Sequence, residues 1–219
     1  VAPIRIETPV PGRPIVGIEV PNEFISVVSL RAILESPSFK KEKSLLKMAL
    51  GRDVSGAPVS ADLDTMPHLL IAGATGSGKS VCINAVVACM LFDNSPDDLR
   101  MVMVDPKMLE LSAYNGIPHL VMPVVTDAKK ASRALRWAVS EMEKRYKLIA
   151  TCGARNIAGY NDKVAAGQVP HGPEHPEGTV APPPDRLSYV VVVIDELADL
   201  MLTAPAEIEE PIARLAQMA

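Results

Sequence analysis

Aromatic side chains are scarce in this chain: one Trp, three Phe and four Tyr, 4% of 219 residues. So thin a supply argues against a platform on which single-stranded bases stack. Cysteine is scarcer still, with only Cys82, Cys89 and Cys152. Cys82 and Cys89 are seven apart on one expected helix, about 10 Å along its axis, which is beyond disulfide reach. The three read as small buried apolar residues in a reducing compartment. Long hydrophobic runs are also missing. The longest, Ala85 to Phe92, is far short of the ~18 residues of a membrane span. No secretory signal is visible, because the N-terminus has no apolar core and is broken by Pro3, Pro9, Pro11 and Pro14. Positive charge is not in excess either. A formal charge of −4 gives no global basic field, although local basic patches remain open.

What is present is a globular composition, 48% hydrophobic and 22% charged, long enough for one substantial domain and a small appendage. A start at Val1 rather than Met suggests a processed or excised piece. The most informative stretch is Gly73-Ala74-Thr75-Gly76-Ser77-Gly78-Lys79-Ser80, which fills the Walker A pattern of a P-loop. Bare glycines let the backbone bend around a triphosphate and turn its N–H groups inward, while the following helix offers its positive end. Lys79 is expected to reach the β- and γ-phosphate oxygens and Ser80 to place its hydroxyl on Mg²⁺, with ATP as the nucleotide. Thr75 and Ser77 read as backbone spacers. The apolar run His68 to Ala72 enters the loop and the mostly apolar segment Val81 to Phe92 leaves it, as a strand–loop–helix unit requires.

Along the chain, Ile4 to Glu7 and Ile15 to Val20 read as two short strands, the end of a preceding small domain over 1–22. Ser29 is placed to cap a helix through Glu35, ended by Ser36-Pro37-Ser38. Leu45 to Leu50 and Ala57 to Leu63 flank the turn former Asp53-Val54-Ser55-Gly56 and read as a hairpin. Met101 to Val104 is a buried strand ending at Asp105, and Val121 to Val125 another short one. Thr126 is the expected cap of a helix from Asp127 to about Thr151, whose apolar stripe is Ala131, Leu135, Ala138, Met142, Tyr146 and Ile149. Lys129, Arg133, Arg136, Lys144 and Lys147 fall on the opposite face, read as solvated. The proline-rich stretch 161–187 reads as a surface loop. Its His171 and His175 are not expected to share a metal, because Pro173 breaks the helix that would align them.

Tyr189 to Ile194 carries five consecutive β-branched residues, expected of a central parallel strand buried on both faces. It delivers Asp195-Glu196 to its C-terminal tip, the crevice where α/β sheets bind ligands. Asp195 is the candidate Walker B acid, holding Mg²⁺ directly or through water, and Glu196 the candidate base for an attacking water. Asp105 ends a different strand, and its role is open between positioning water and structure.

The stretches PHLLIAGATGSGKSV, MVMVDPKMLELSAYNGIPHL, VVTDAKKASRALRWAVSEMEKRY, RNIAGYN and VVVVIDELADLM together resemble the motor of the FtsK/SpoIIIE family of DNA translocases. IVGIEVPN and ALGRDVSGAPVSADL are similar to that family too. The resemblance implies an α/β fold: a RecA-like P-loop NTPase domain over 23–219 with a mainly parallel central sheet flanked by helices, preceded by a short β segment of another domain. It implies a hexameric ring around double-stranded DNA, with ATP hydrolysed between subunits. It also implies a cytoplasmic motor tethered to the division-site membrane through an N-terminal region and serving chromosome partition in cell division or sporulation. An arginine finger from the neighbouring subunit is expected of such rings, and Arg214 and Arg155 are the candidates here, unless it lies beyond Ala219.

Two departures from the family pattern stand out. Pro211 falls where a helix normally continues, so that helix is expected to begin at Pro211, leaving Glu207 to Glu210 in a loop. The chain stops at Ala219, before a further strand the family carries, so the domain reads as C-terminally truncated and the isolated piece as weakly active or inactive. The alternatives are a P-loop ATPase of protein secretion or conjugative transfer, and a non-catalytic, ATP-gated assembly scaffold. Glu196 argues against the scaffold, and the lack of an LSGGQ-type signature between the Walker motifs argues against a transporter subunit.

Overall fold

The computed structural model describes residues 4–10, 14–22, 24, 26–74, 76–169 and 185–218. The expectations for His171, His175 and the prolines at 182 to 184, and the place of Thr75 in the P-loop, lie outside the described residues.

Two parallel strands set the frame. Strand β5 (Leu99–Val104) pairs in register with β6 (Tyr189–Ile194), from Leu99 opposite Tyr189 to Val104 opposite Ile194. Side chains alternate across a strand, so successive residues serve opposite faces. Leu99, Met101 and Met103 enter one core with Tyr189, Val191 and Val193. Val102 and Val104 enter the other with Val190, Val192 and Ile194. Helix α3 (Lys79–Asp93) covers the first face through Ile83, Val87 and Met90. Helices α4 (Ala128–Thr151), α6 (Leu197–Thr203) and α7 (Pro205–Met218) cover the second through Leu135, Leu200 and Ile208. The fold is therefore α/β, with helices on both sides of a parallel sheet.

The buried strand is β5, whereas β6 is half-buried along its length. This corrects the expectation that the Val-rich strand is central: among the described residues β6 has one neighbour and β5 has pairing on both sides. On its other side β5 meets only isolated parallel bridges, at Leu120 and Val125, where a continuous strand was expected. Pro123, which has no N–H to donate, interrupts that ladder. The entry to the P-loop likewise forms no strand among the described residues, with Leu70 83% exposed.

An antiparallel hairpin, β3 (Lys47–Arg52) and β4 (Pro58–Asp62), closes around Asp53, whose carboxylate accepts from Ser55 and Ala57 N–H. Asn94, at the C-terminal end of α3, ties the approach to the hairpin to that helix, donating to the carbonyls of Leu45 and Met90. Two short helices, α1 (Leu30–Leu34) and α2 (Pro37–Lys41), pack beside the hairpin through Ile33 and Phe39. Ser29 caps α1 as expected, but Ser36-Pro37 starts a helix as well as ending one. Ser36 Oγ accepts from Phe39 N–H, and Pro37 sits in the first turn, where its missing N–H costs nothing. At the N-terminal end, β1 (Arg5–Glu7) and β2 (Gly17–Glu19) form a small antiparallel pair with Ile4, Ile6, Ile18 and Val20 exposed.

Three boundaries differ from expectation. The cap of α4 is Asp127, whose Oδ1 accepts from Lys130 N–H at 3.0 Å, and not Thr126. Helix α5 (Ile157–Ala165), capped by Asn156, takes in residues 161–165 of the expected loop. Helix α7 starts at Pro205 and runs through Pro211, so Glu207 to Glu210 are helical. An interior proline leaves the carbonyl four residues back without its donor. That carbonyl belongs to Glu207, and buried Ser132 of α4 donates its hydroxyl to it at 3.2 Å. A neighbouring helix thus supplies what the proline removed.

Candidate active site

The sheet brings two distant segments together at the C-terminal tips of its strands. Gly78 precedes α3 with φ 96°, and no side chain caps the helix start. A β-carbon on Gly73 would meet Ser77 Oγ at 2.1 Å and Ser77 Cβ at 3.1 Å, so the loop closes on itself there and a side chain at Gly73 would force Ser77 to move. Lys79, in the first turn of α3, donates to the backbone carbonyl of Asp195 at 2.9 Å and to Glu196 Oε2 at 3.1 Å. Its ammonium also lies 3.3 Å from Asp195 Oδ1 as an ion pair whose angle makes no hydrogen bond, leaving that buried oxygen without a donor among the described residues. Partial burial pushes the Lys79 ammonium down, but Glu196 and Asp195 outweigh it and hold its pKa above the usual lysine value.

Glu196 stands at the N-cap position of α6 but its carboxylate caps nothing there; it faces Lys79. Lys107 approaches from the turn after β5, 3.9 Å from Glu196 Oε2 and 3.1 Å from Asp199. Ser80 donates its hydroxyl to Glu110 Oε1 at 2.6 Å. Asp105, fully buried, accepts from the N–H groups of Glu110 and Leu111 through Oδ2. Of its two open roles, this geometry supports the structural one.

The loop from Gly73 to Ser80 thus meets Asp195 and Glu196 through Lys79, with Lys107 and Glu110 around them. Lys107 and Glu110 were not singled out from the sequence; their signal was an Asp-Pro-Lys turn leaving a buried strand. Arg214 and Arg155 lie elsewhere. Arg214 pairs with Glu143 of α4 on the exposed side of the α4–α7 contact, and Arg155 is exposed between α4 and α5. The stripe of Lys129, Arg133, Arg136, Lys144 and Lys147 is exposed as expected.

The donor set suits a magnesium nucleotide. A hard cation takes oxygen ligands and keeps water and phosphate oxygens among them, so one hydroxyl and one carboxylate suffice, and among the described residues no three His, Cys, Asp or Glu side chains cluster as ligands. The unpartnered Asp195 Oδ1 is such an oxygen. No helix among the described residues is long and apolar enough to cross a membrane.

Comparison with known proteins places this arrangement. The sequence profile of the FtsK/SpoIIIE family matches residues 29–219. DNA translocase FtsK of Halalkalibacterium halodurans is 51% identical over 216 residues, covering 99% of this chain and 26% of that protein. The chain therefore spans about a quarter of the length of the curated relatives it matches. A solved structure of the pCW3 conjugation coupling protein TcpA, in monomer form with ATPγS, is 28% identical with a TM-score of 0.54, covering 81% of this chain and 44% of that one. The cytoplasmic domain of the Thermomonospora curvata type VII secretion ATPase EccC is 19% identical with a TM-score of 0.62, covering 88% of this chain and 22% of that one, a likeness of fold alone. With the profile spanning the P-loop, the Asp195-Glu196 strand and everything between, the chain belongs to the FtsK/SpoIIIE family.

Proposed function

We propose that the chain carries the ATP-hydrolysing core of a double-stranded DNA translocase, a RecA-like motor domain working between subunits of a hexameric ring. The observation that carries this reading is the convergence of Lys79 with Asp195 and Glu196 across 116 and 117 residues of sequence. The relative's name supplies the substrate class. A membrane-tethered full-length protein at the division site belongs to the same proposal.

The P-loop from Gly73 to Ser80 holds the phosphates, with Lys79 turning from its carboxylate partners to the β- and γ-oxygens. Magnesium, when bound, would supply positive charge against the phosphates. Ser80 and Asp195 would hold it, Asp195 directly or through water. Glu196, released from Lys79, accepts the proton of the attacking water. The site therefore changes partners on binding: the ammonium that neutralises two carboxylates in the free protein is drawn to phosphate. Arg214 or Arg155 is the candidate to reach a neighbour's site, and residues 1–22 the end of a preceding domain. The scaffold alternative would leave Glu196 without work.

The test is movement. A protein of its relatives' full length should displace a third strand from a duplex in an ATP-dependent manner, and Glu196→Gln should abolish displacement while still binding ATP. ATP turnover stimulated by single strands or by a protein substrate, with no displacement, would instead favour conjugative transfer or secretion, the settings named for TcpA and EccC.

A further inference from the structure

We propose that Glu110 is the residue that orients Ser80 toward the metal, an inference that rests on the magnesium-nucleotide reading of the site. A serine hydroxyl has one proton to donate and two lone pairs to offer. In this structure the proton is spent on Glu110 Oε1 at 2.6 Å, within the range of a charge-assisted bond. The lone pairs of Ser80 are then turned away from Glu110, and an oxygen lone pair is what a hard cation takes. A carboxylate behind a ligand fixes its orientation and makes it more electron-rich, the relation known from metal sites whose ligands are backed by acids.

Glu110 is held for this task rather than merely adjacent. Its backbone N–H donates to Oδ2 of the fully buried Asp105 at 3.0 Å, and the next residue, Leu111, donates to the same oxygen and is itself buried in the core. The turn passes through Met108 at φ 56°, a left-handed conformation uncommon outside glycine. A second tie joins the same region to the start of α3: Tyr114 donates to Asn84 Oδ1, and Asn84 donates to the backbone carbonyl of Ser80. Two independent links thus run from the segment after β5 to Ser80, one to its hydroxyl and one to its carbonyl. The same turn carries Lys107 to Glu196, so the single buried carboxylate of Asp105 anchors a turn that touches both halves of the site.

The experiment is nucleotide binding as a function of magnesium, read from the fluorescence of mant-ATPγS, with no turnover involved. For the wild type, affinity should rise from EDTA to millimolar MgCl₂ with a definable midpoint. Glu110→Ala should move that midpoint about 10- to 100-fold higher, leaving the affinity in EDTA unchanged. Glu110→Gln, which keeps an acceptor oxygen and loses the charge, should fall between. In a Ser80→Ala background, Glu110→Ala should produce no further shift. The inference is overturned if both Glu110 variants keep the wild-type midpoint, or if the full shift persists without the Ser80 hydroxyl. A wild type that does not bind mant-ATPγS, or binds it without regard to magnesium, would overturn the nucleotide reading itself, and that result is distinct from either of the others.

Discussion

At the scale of single residues, the site is a cluster of opposite charges that compensate one another. Lys79 compensates Asp195, whose side chain is 4% exposed, and Glu196 beside it. Removing a cation from a nearly buried carboxylate leaves the latter uncompensated. Lys79→Ala should therefore abolish nucleotide binding and also lower stability by about 1–3 kcal/mol, measured by urea unfolding. Part of that loss should return in Lys79→Ala with Glu196→Gln, which removes the repulsion between the two acids. A double variant no more stable than the single one would mean that repulsion between the two acids is not the source of the loss. Glu196→Gln alone should bind nucleotide normally and hydrolyse it at least about 100-fold more slowly, as expected when a general base is lost.

Among the elements, the boundaries show where physical rules compete. The Walker A loop, the strand before Asp195-Glu196 and the long helix α4 were legible because each has a strong local pattern. What could not be read locally was set by partners distant in sequence. Pro211 argued for a helix start, and only the hydroxyl of Ser132, on α4, makes the interior position tolerable. Ser132→Ala should cost about 1–2 kcal/mol in wild type, the penalty of a buried carbonyl left without a donor, and much less in a Pro211→Ala background, where the helix regains its own N–H. The cap of α4 is a smaller miss of the same kind: two cap-forming residues stand side by side, and only one aims its oxygen at Lys130 N–H. Asp127→Ala should lower stability by about 1 kcal/mol, with Thr126→Ala nearly neutral; the opposite ranking in thermal melts would restore Thr126. The turn into β5 carries an acid dependence. Ser95, by donating its hydroxyl, and Arg186 beside it hold Asp98 below its ordinary value of 3.8. A carboxyl whose folded pKa is depressed contributes stability that is present above its unfolded value and lost as pH falls through the folded one. Asp98→Asn should accordingly lower stability near neutrality, where the ionised carboxylate contributes in full, and flatten the further decline below pH 3.8.

For the whole molecule, one alternation explains the architecture. Odd and even residues of β5 and β6 feed separate cores, α3 fills one, and α4, α6 and α7 fill the other, so the strand tips must open at the edge where the P-loop and Asp195-Glu196 meet. Asn161, within α5, holds Leu187 on the approach to β6, donating to its carbonyl and accepting from its N–H. Asn161 closes the RNIAGYN stretch, and its structural duty was invisible without the distant Leu187. The proposed hydrolysis of ATP in the service of duplex DNA is tested most directly by steady-state ATP turnover in a protein of its relatives' full length. Turnover should rise on adding double-stranded DNA, rise little with single strands, and vanish in Glu196→Gln; turnover indifferent to duplex DNA, or undiminished in Glu196→Gln, would contradict the account.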